Sequence, residues 1–160
     1  MAEAVAKTRE IPFYVTIVTF FIKSLIRMGI SMSPTVLLTV RGRRSGKNYT
    51  TPVVMFELDG RAFLFSFFGE SNWVRNLRAA GKAAIRNGSK LTDATAVELK
   101  PEAATTILRD SLTPLFEERL FGRLIRSEFR VNPGTTLEGW SETADLHPVF
   151  EVRESTNNSP

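Results

Sequence analysis

A short segment rich in arginine, glycine and hydroxyl side chains is the part of this sequence best suited to chemistry. Residues 41–52 read RGRRSGKNYTTP and lie between two apolar runs. Glycine tolerates positive φ, so a turn with two glycines can point several backbone N–H groups into one space that favours an anion. The planar guanidinium of arginine fits a phosphate or a carboxylate. The segment therefore predicts a site for a phosphorylated ligand at a sheet edge.

The segment does not match the common phosphate-binding loops. The sequence lacks both the G-x-x-x-x-G-K-[ST] spacing and a G-x-G-x-x-G run that opens a helix. The turn by itself therefore predicts an anion and does not identify the ligand.

Composition excludes several kinds of chemistry. The chain has 160 residues, no cysteine and one histidine, His147. We therefore expect no disulfide, no iron–sulfur cluster and no metal site built from cysteines or several histidines. No G-x-S-x-G motif precedes His147, which disfavours a hydrolytic triad. The net charge of +4 favours anionic partners without naming one.

The stretch 11–30 is apolar and has the polar spacing of a helix, with Lys23 and Arg27 on one stripe. Its uncharged run, 11–22, has twelve residues and is shorter than the roughly 20 needed to cross a bilayer. One interpretation is a helix packed on the domain, ending at Pro34. The other is a helix on a membrane surface. We expect no cleavable signal peptide, because no small-x-small site follows.

The rest of the chain predicts short strands with a few helices. The predicted strands are 35–40, 51–58, 61–67, 83–86, 95–99 and 147–152, and the predicted helices are 73–80, 101–112 and 114–129. The segment 135–145 is ambiguous. Short antiparallel strands in this number can close a small barrel with helices outside, which makes the fold class α+β. We expect an N-terminal amphipathic helix segment at 1–33, a barrel domain at 34–153 and a disordered tail at 154–160.

Three motifs, in this order, give the sequence a family resemblance. They are GRRSG at 42–46 followed by TTP at 50–52, NWVRNLRA at 72–79, and HPVF at 147–150. Together the motifs resemble the deazaflavin-dependent nitroreductase family over about residues 35–152. The resemblance implies a split β-barrel related to barrels that bind flavin mononucleotide (FMN). It also implies coenzyme F-420, an 8-hydroxy-5-deazaflavin with a phosphate and an oligoglutamate tail.

The resemblance also implies a set of site residues. Those implied to bind the cofactor are Arg43, Arg44, Ser45, Gly46, Lys47, Thr50, Thr51, Pro52, Ser66, Phe67, Phe68, Trp73, Asn76 and Leu77. Ser66 matches a family serine close to the redox face of the deazaflavin ring, so the resemblance gives it a catalytic role. Two positions depart from the family. Tyr49 stands where relatives often carry arginine, and Phe67 stands where some carry lysine.

The resulting hypothesis is an oxidoreductase that transfers a hydride from reduced coenzyme F-420 to an apolar acceptor. Quinones, nitroaromatics and unsaturated carbonyl compounds are the acceptors that the resemblance implies. The alternative is a non-catalytic, membrane-associated binder of a fatty acid or a quinone on the same fold, and FMN is the alternative cofactor.

The expected partner is a small apolar molecule, with no nucleic acid. We expect a monomer or homodimer in the cytoplasm, with peripheral contact at the inner face of the cell membrane through residues 11–30.

Overall fold

A closed six-stranded antiparallel barrel forms the body of the protein. The computed structural model describes residues 20, 22–30, 33–119 and 121–155. Neighbouring strands around the barrel follow the order β1-β2-β3-β6-β5-β4. The strands are β1 (Thr35–Arg41), β2 (Asn48–Leu58), β3 (Arg61–Phe65), β4 (Lys82–Asn87), β5 (Lys90–Glu98) and β6 (Val149–Glu154). The predicted α+β barrel is confirmed.

The first three strands form the predicted meander. Asp59 and Gly60, both with positive φ, make the two-residue turn between β2 and β3. At the other end of β2, Arg41 pairs with Asn48, so residues 42–47 form the connection between β1 and β2. The segment singled out for anion binding therefore projects from one end of the barrel.

Alternation along the strands separates two apolar cores. On β6, Phe150 and Val152 belong to the core inside the barrel, together with Val36 and Leu38 of β1. Val149 lies on the opposite face of β6 and joins a second core under the helices. This is the period-2 pattern of strands buried on both faces.

Beyond residue 33, the described part of the chain has four α-helices that connect or cover the strands: α1 (Asn72–Ala80), α2 (Pro101–Leu112), α3 (Phe121–Phe129) and α4 (Leu137–Leu146). Helix α1 ends at Gly81, which has a φ of 64°. Thr136 caps the N-terminus of α4 by accepting a hydrogen bond from Gly139 N. The ambiguous segment 135–145 is therefore helical over most of its length. Helix α1 also packs against β1 and so lies beside the turn 42–47.

Several predicted boundaries are wrong: β2 begins three residues before its predicted start, β3 ends two residues before its predicted end, and two further differences lie in the last third of the chain. The helix predicted at 114–129 is a 3-10 turn, Thr113–Glu117, followed by an extended residue, Glu118, and then α3. Pro114 lies in the first turn of the 3-10 segment, where its missing N–H is tolerated, so the interruption is at Glu118 and not at the proline. The last strand begins at Val149, because His147 caps the end of α4 instead of opening the strand.

The N-terminal apolar stretch is described only in part. Residues 22–27 are helical and the turn at Met28 and Gly29 ends them, so the helix stops before Pro34. Residues 11–19 of the predicted helix lie outside the described part of the chain. Within that part, no helix combines the length and apolar character required to cross a bilayer. The boundaries predicted for the N-terminal segment and the tail stay predictions.

Candidate functional site

A cleft of about 690 Å³ lies between the 42–47 turn and the N-terminal part of α1. Three elements build its wall: the turn with the first residues of β2, the loop after β3, and α1. The lining residues are Arg43, Arg44, Ser45, Tyr49, Thr50, Thr51, Phe68, Glu70, Ser71, Asn72, Trp73, Arg75 and Asn76. A cleft that combines three arginines with three aromatic side chains, one of them a tyrosine, suits a ligand with an anionic part and a planar apolar part.

The turn is held closed by its own backbone. Gly42 N donates to Lys47 O at 2.7 Å and Gly46 N donates to Gly42 O at 2.9 Å. Lys47 N donates to Ser45 Oγ at 3.3 Å, and Arg43 N donates to Asn76 Oδ1 at 3.2 Å. These four N–H groups are therefore used inside the protein. The prediction that several backbone amides of the turn point together at an anion is wrong for them, and the side chains must supply most of the binding.

Arg43 is tied to the helix across the cleft. Its Nη1 donates to Asn76 Oδ1 at 2.8 Å, which is the same oxygen that accepts from its backbone N–H. Asn76 is buried, with 6% of its surface exposed. A buried amide that receives two hydrogen bonds fixes the turn relative to α1, so the arginine is placed at the cleft wall before a ligand arrives.

A series of ion pairs begins at the side of the cleft that lies across from the turn 42–47. The Glu70 carboxylate accepts from Arg75 Nε at 3.2 Å and from Arg78 Nη2 at 2.6 Å. Arg78 also donates to both carboxylate oxygens of Glu98. The hydrogen bond from Arg78 is the largest cause that holds the pKa of Glu70 below its usual range, and Arg75 adds to it. Glu70 is therefore ionised at neutral pH and partly offsets the positive charge of the cleft.

The apolar wall of the cleft comes from Phe68 and Trp73. The ring of Phe68 is 38% exposed. Trp73 packs on Phe150 of the barrel core, with ring centroids 5.9 Å apart. Because one face of Trp73 is anchored by the core, its position at the cleft is fixed by packing rather than by a ligand.

The structure brings eight of the fourteen predicted residues to the cleft. They are Arg43, Arg44, Ser45, Thr50, Thr51, Phe68, Trp73 and Asn76. The other six predicted residues, which do not line it, are Gly46, Lys47, Pro52, Ser66, Phe67 and Leu77. Leu77 faces the barrel core and Phe67 packs edge-on against Phe129 of the second core. For all fourteen, a role in binding stays a prediction.

Ser66, predicted to be catalytic, lies under the cleft wall. It is 1% exposed and its hydroxyl donates to Gly69 O at 2.5 Å. His147 Nδ1 lies 2.8 Å from Ser66 O, and its ring packs on Phe129. Both residues thus hold the loop that presents Phe68, and neither lines the cleft.

Sequence reasoning did not assign five of the lining residues to the site: Tyr49, Glu70, Ser71, Asn72 and Arg75. For Tyr49 the sequence predicts only a departure from the family pattern. A signal for Arg75 existed, because it lies three residues after Asn72 in the predicted helical motif, and residues at that spacing share one face of a helix. Glu70 lies in a loop, where no sequence periodicity predicts the direction of its side chain.

The residues of the cleft fit a phosphate-bearing cofactor. Arg43 and Arg44 supply the charge and Ser45 supplies a hydroxyl at the same wall. Ser71 Oγ is buried and has no hydrogen-bond partner within the described part of the protein. A buried polar atom without a partner beside a polar cleft is unusual and is consistent with a ligand group that completes it.

Sequence comparison decides the family. Residues 22–115 match the model of the F420H(2)-dependent quinone reductase family, which is more than half of the chain. The chain belongs to this family. It is therefore an oxidoreductase, an F420-dependent reductase, and membership implies use of coenzyme F-420. The match includes the turn, the loop after β3 and α1, which are the three elements that build the cleft.

A solved structure of low sequence identity supports the fold, and a second is similar in sequence. A protein from Bacteroides thetaiotaomicron with a proposed role in 5-nitroimidazole antibiotic resistance has a TM-score of 0.51 at 12% identity, over 86% of this chain and 80% of that chain. An F420-H2 dependent reductase (FDR-A) is 24% identical over 76% of this chain and 95% of that chain, with a TM-score of 0.44. No curated protein gives a significant match.

Proposed function

We propose that the cleft binds reduced coenzyme F-420 and that the chain transfers a hydride from it to an apolar, planar acceptor. The observation that carries the proposal is the meeting of two distant segments at one cleft: Arg43 and Arg44 from the turn, and Trp73 and Asn76 from α1. The first pair suits a phosphate and the second supplies an aromatic wall and an anchor. A quinone, a nitroaromatic or an unsaturated carbonyl compound would serve as the acceptor.

In this proposal the arginines of the turn hold the phosphate of the cofactor. Charge-assisted hydrogen bonds contribute about 1.5–3 kcal/mol each, so two of them would dominate the affinity. Ser45, Thr50 and Thr51 line the adjoining wall and offer hydroxyl groups to the same region. Arg43 is already fixed by Asn76, which lowers the cost of ordering it when the ligand binds.

The apolar wall would position the reacting partners. When bound, the deazaflavin supplies a hydride, so the protein needs no nucleophile and no metal. Phe68 is partly exposed and Trp73 is anchored on Phe150, and together they form a surface against which a planar acceptor can lie. Holding the acceptor at a fixed distance and angle is what accelerates such a transfer. The quinone reductase family to which the chain belongs favours a quinone among the three acceptor classes.

A titration tests the proposal. Coenzyme F-420 is added to the purified chain and its fluorescence is followed for the wild type, Arg44→Gln and Arg123→Gln. Arg123 is an exposed arginine on α3 that does not line the cleft, so it is the control. We expect Arg44→Gln to weaken binding about 10-fold or more and Arg123→Gln to change it less than about 2-fold. No saturable signal at about tens of micromolar, or equal affinities for both variants, would refute the cleft as the cofactor site.

Oxidation of reduced F-420 then distinguishes the acceptors. A soluble quinone, a nitroimidazole and an unsaturated lactone are compared at equal concentration. We expect the quinone to be reduced fastest. A chain that binds F-420 but reduces none of the three would favour the non-catalytic alternative, and a protein that is yellow as isolated would favour FMN as the cofactor.

The proposal includes peripheral contact with a membrane through the N-terminal stretch. Phe20, Met28 and Ile30 are exposed, beside Lys23 and Arg27. Exposed apolar side chains next to cations suit the headgroup region of anionic lipid.

Flotation with anionic liposomes tests the membrane contact. We expect the wild type to float and Phe20→Ser/Met28→Ser not to, while Leu137→Ser, an exposed leucine on α4, behaves as wild type. If all three proteins float equally, or if none of them floats, the proposal of membrane contact through this stretch is refuted.

A further inference from the structure

Tyr49 lies across the base of the turn that carries Arg43 and Arg44. It pairs with Val40 one step before the end of the β1–β2 ladder, and its side chain is half exposed at the cleft wall. A Cβ built on Gly42 would come within 2.5 Å of Tyr49 Cε2. The ring therefore occupies the space that any side chain at position 42 would need.

The hydroxyl of Tyr49 reaches the tip of the turn. Tyr49 Oη lies 3.0 Å from Ser45 Oγ, and Ser45 Oγ also accepts from Lys47 N at 3.3 Å. Ser45 is thus held from two sides, by a backbone N–H and by a phenol. The same Cβ on Gly42 would come within 2.9 Å of Ser45 Oγ, so the glycine leaves room for both groups.

We infer that Tyr49 is a positioning residue for the anion-binding turn and that Gly42 is required because it admits the tyrosine ring. The ring lies against Gly42 and the hydroxyl fixes Ser45, so Arg43, Arg44 and Ser45 present a preformed surface to the phosphate. Asn76 holds the same turn from the helix side. The inference rests on the proposed function for the ligand, while the contacts that support it lie within the turn itself.

Four variants test the inference: Tyr49→Phe, Tyr49→Val, Gly42→Ala and the double variant Gly42→Ala/Tyr49→Val. Valine has a high propensity for β-strands, so Tyr49→Val removes the ring without disfavouring the strand conformation. Gly134→Ala is the control for glycine replacement, because a Cβ there meets only Asn132 Oδ1, at 3.4 Å. Two quantities are measured: the Kd for coenzyme F-420, and the rate of tryptic cleavage after Arg43, Arg44 and Lys47 in the ligand-free protein. The melting temperature of each variant is recorded beside them as a check on overall stability.

We expect Tyr49→Phe to raise Kd about 3-fold, because it loses one partly exposed hydrogen bond. Tyr49→Val and Gly42→Ala should each raise Kd about 10-fold and accelerate cleavage within the turn by a similar factor. The double variant should be no weaker than Tyr49→Val, since Gly42→Ala acts by displacing a ring that is then absent. Gly134→Ala should change neither quantity.

The outcomes separate the two proposals. If the wild type binds F-420 and Tyr49→Val binds it equally well with unchanged cleavage, this inference is wrong while the proposed function stands. Additive effects of Gly42→Ala and Tyr49→Val would also overturn it, because they would show two independent defects. A fall in melting temperature without a change in cleavage at the turn would assign Tyr49 a general stabilising role instead. A wild type that binds no F-420 overturns both proposals.

Discussion

The carboxamide oxygen of Asn76 accepts hydrogen bonds from both the backbone N and the Nη1 of Arg43, at 3.2 and 2.8 Å. The two residues are 33 positions apart in the sequence. A turn from one end of the barrel is thereby fixed to a helix on the other side of the cleft. The arginine proposed to bind the phosphate is therefore positioned by a buried polar group.

Replacing Asn76 by alanine should loosen the turn. The Arg43 N–H would lose its partner in a partly buried place, which costs about 1–3 kcal/mol. We expect the Kd for F-420 to rise about 10-fold and the melting temperature to fall by roughly 3–6 °C. Asn48→Ala, an exposed asparagine outside the cleft lining, is the control for both measurements. An unchanged Kd would show that Arg43 does not need this anchor.

Removing the negative charge of Glu70 should strengthen anion binding. Glu70 and an incoming phosphate draw on the same positive charges, so Glu70→Gln should lower the Kd for F-420 about 3-fold at low salt. The gain should disappear at high salt, where exposed charges are screened. Glu98→Gln removes the other carboxylate on Arg78 but lies outside the cleft lining, and its Kd should match wild type. A weaker Glu70→Gln complex would mean that Glu70 matters by orienting Arg75.

Ser66→Ala should affect stability more than catalysis. The hydroxyl is buried and its hydrogen bond to Gly69 O holds the loop that carries Phe68. We expect a loss of about 1–2 kcal/mol in the free energy of unfolding and less than about a 3-fold change in kcat. Ser111→Ala removes a buried hydroxyl that has no partner among the described residues, so it should not destabilise. A large fall in kcat with unchanged stability would instead support the catalytic role predicted for Ser66.

Phe68→Ala should separate acceptor binding from cofactor binding. The ring is exposed at the cleft and would contact an apolar acceptor. Loss of that surface should lower kcat/KM for a quinone about 5-fold, equivalent to about 1 kcal/mol of apolar contact. The Kd for F-420 should stay within about 2-fold of wild type. The reverse pattern would be a raised Kd for F-420 with an unchanged kcat/KM for the quinone. It would show that the ring of Phe68 contacts the cofactor.

Glu151 should make the barrel sensitive to acid. Hydrogen bonds from Arg61, and then from Arg153, hold the pKa of this buried carboxyl below its ordinary value near 4.5. Because the folded state binds this proton less readily than the unfolded state, the stabilisation is present above that ordinary value. It is lost as the pH falls through the lowered pKa.

The test is the melting temperature between pH 7 and pH 3. Glu151→Gln should melt about 5 °C lower at pH 7 and fall less steeply with acid. Glu154→Gln, which removes an exposed ion pair with Lys90, should follow the wild type. Parallel curves for Glu151→Gln and wild type would contradict the prediction.

Local patterns predicted the elements that local forces govern. The meander was predictable from alternation and from the Asp59–Gly60 turn, and α1 and α2 from glycine and proline at their ends. The break at Glu118 and the capping position of His147 were not, because both depend on how α3 and α4 pack on the second core. Strand β5 begins at Lys90, five residues before its prediction. Its first part places the small Ala94 in the core and leaves Leu91 exposed, so the alternation of apolar and polar residues is not visible there in the sequence.

The sequence by itself determined the type of chemistry: an arginine-rich turn, no cysteine, one histidine, and motifs that lead to a family of F420-dependent reductases. Tertiary structure alone decided which groups meet. Closure of the barrel places the turn beside α1, which directs Asn76 to Arg43 and Arg78 to Glu98 and turns Leu77 and Ser66 away from the cleft. The physical reason is that side-chain direction at these positions is set by packing against distant strands, and no local pattern records it.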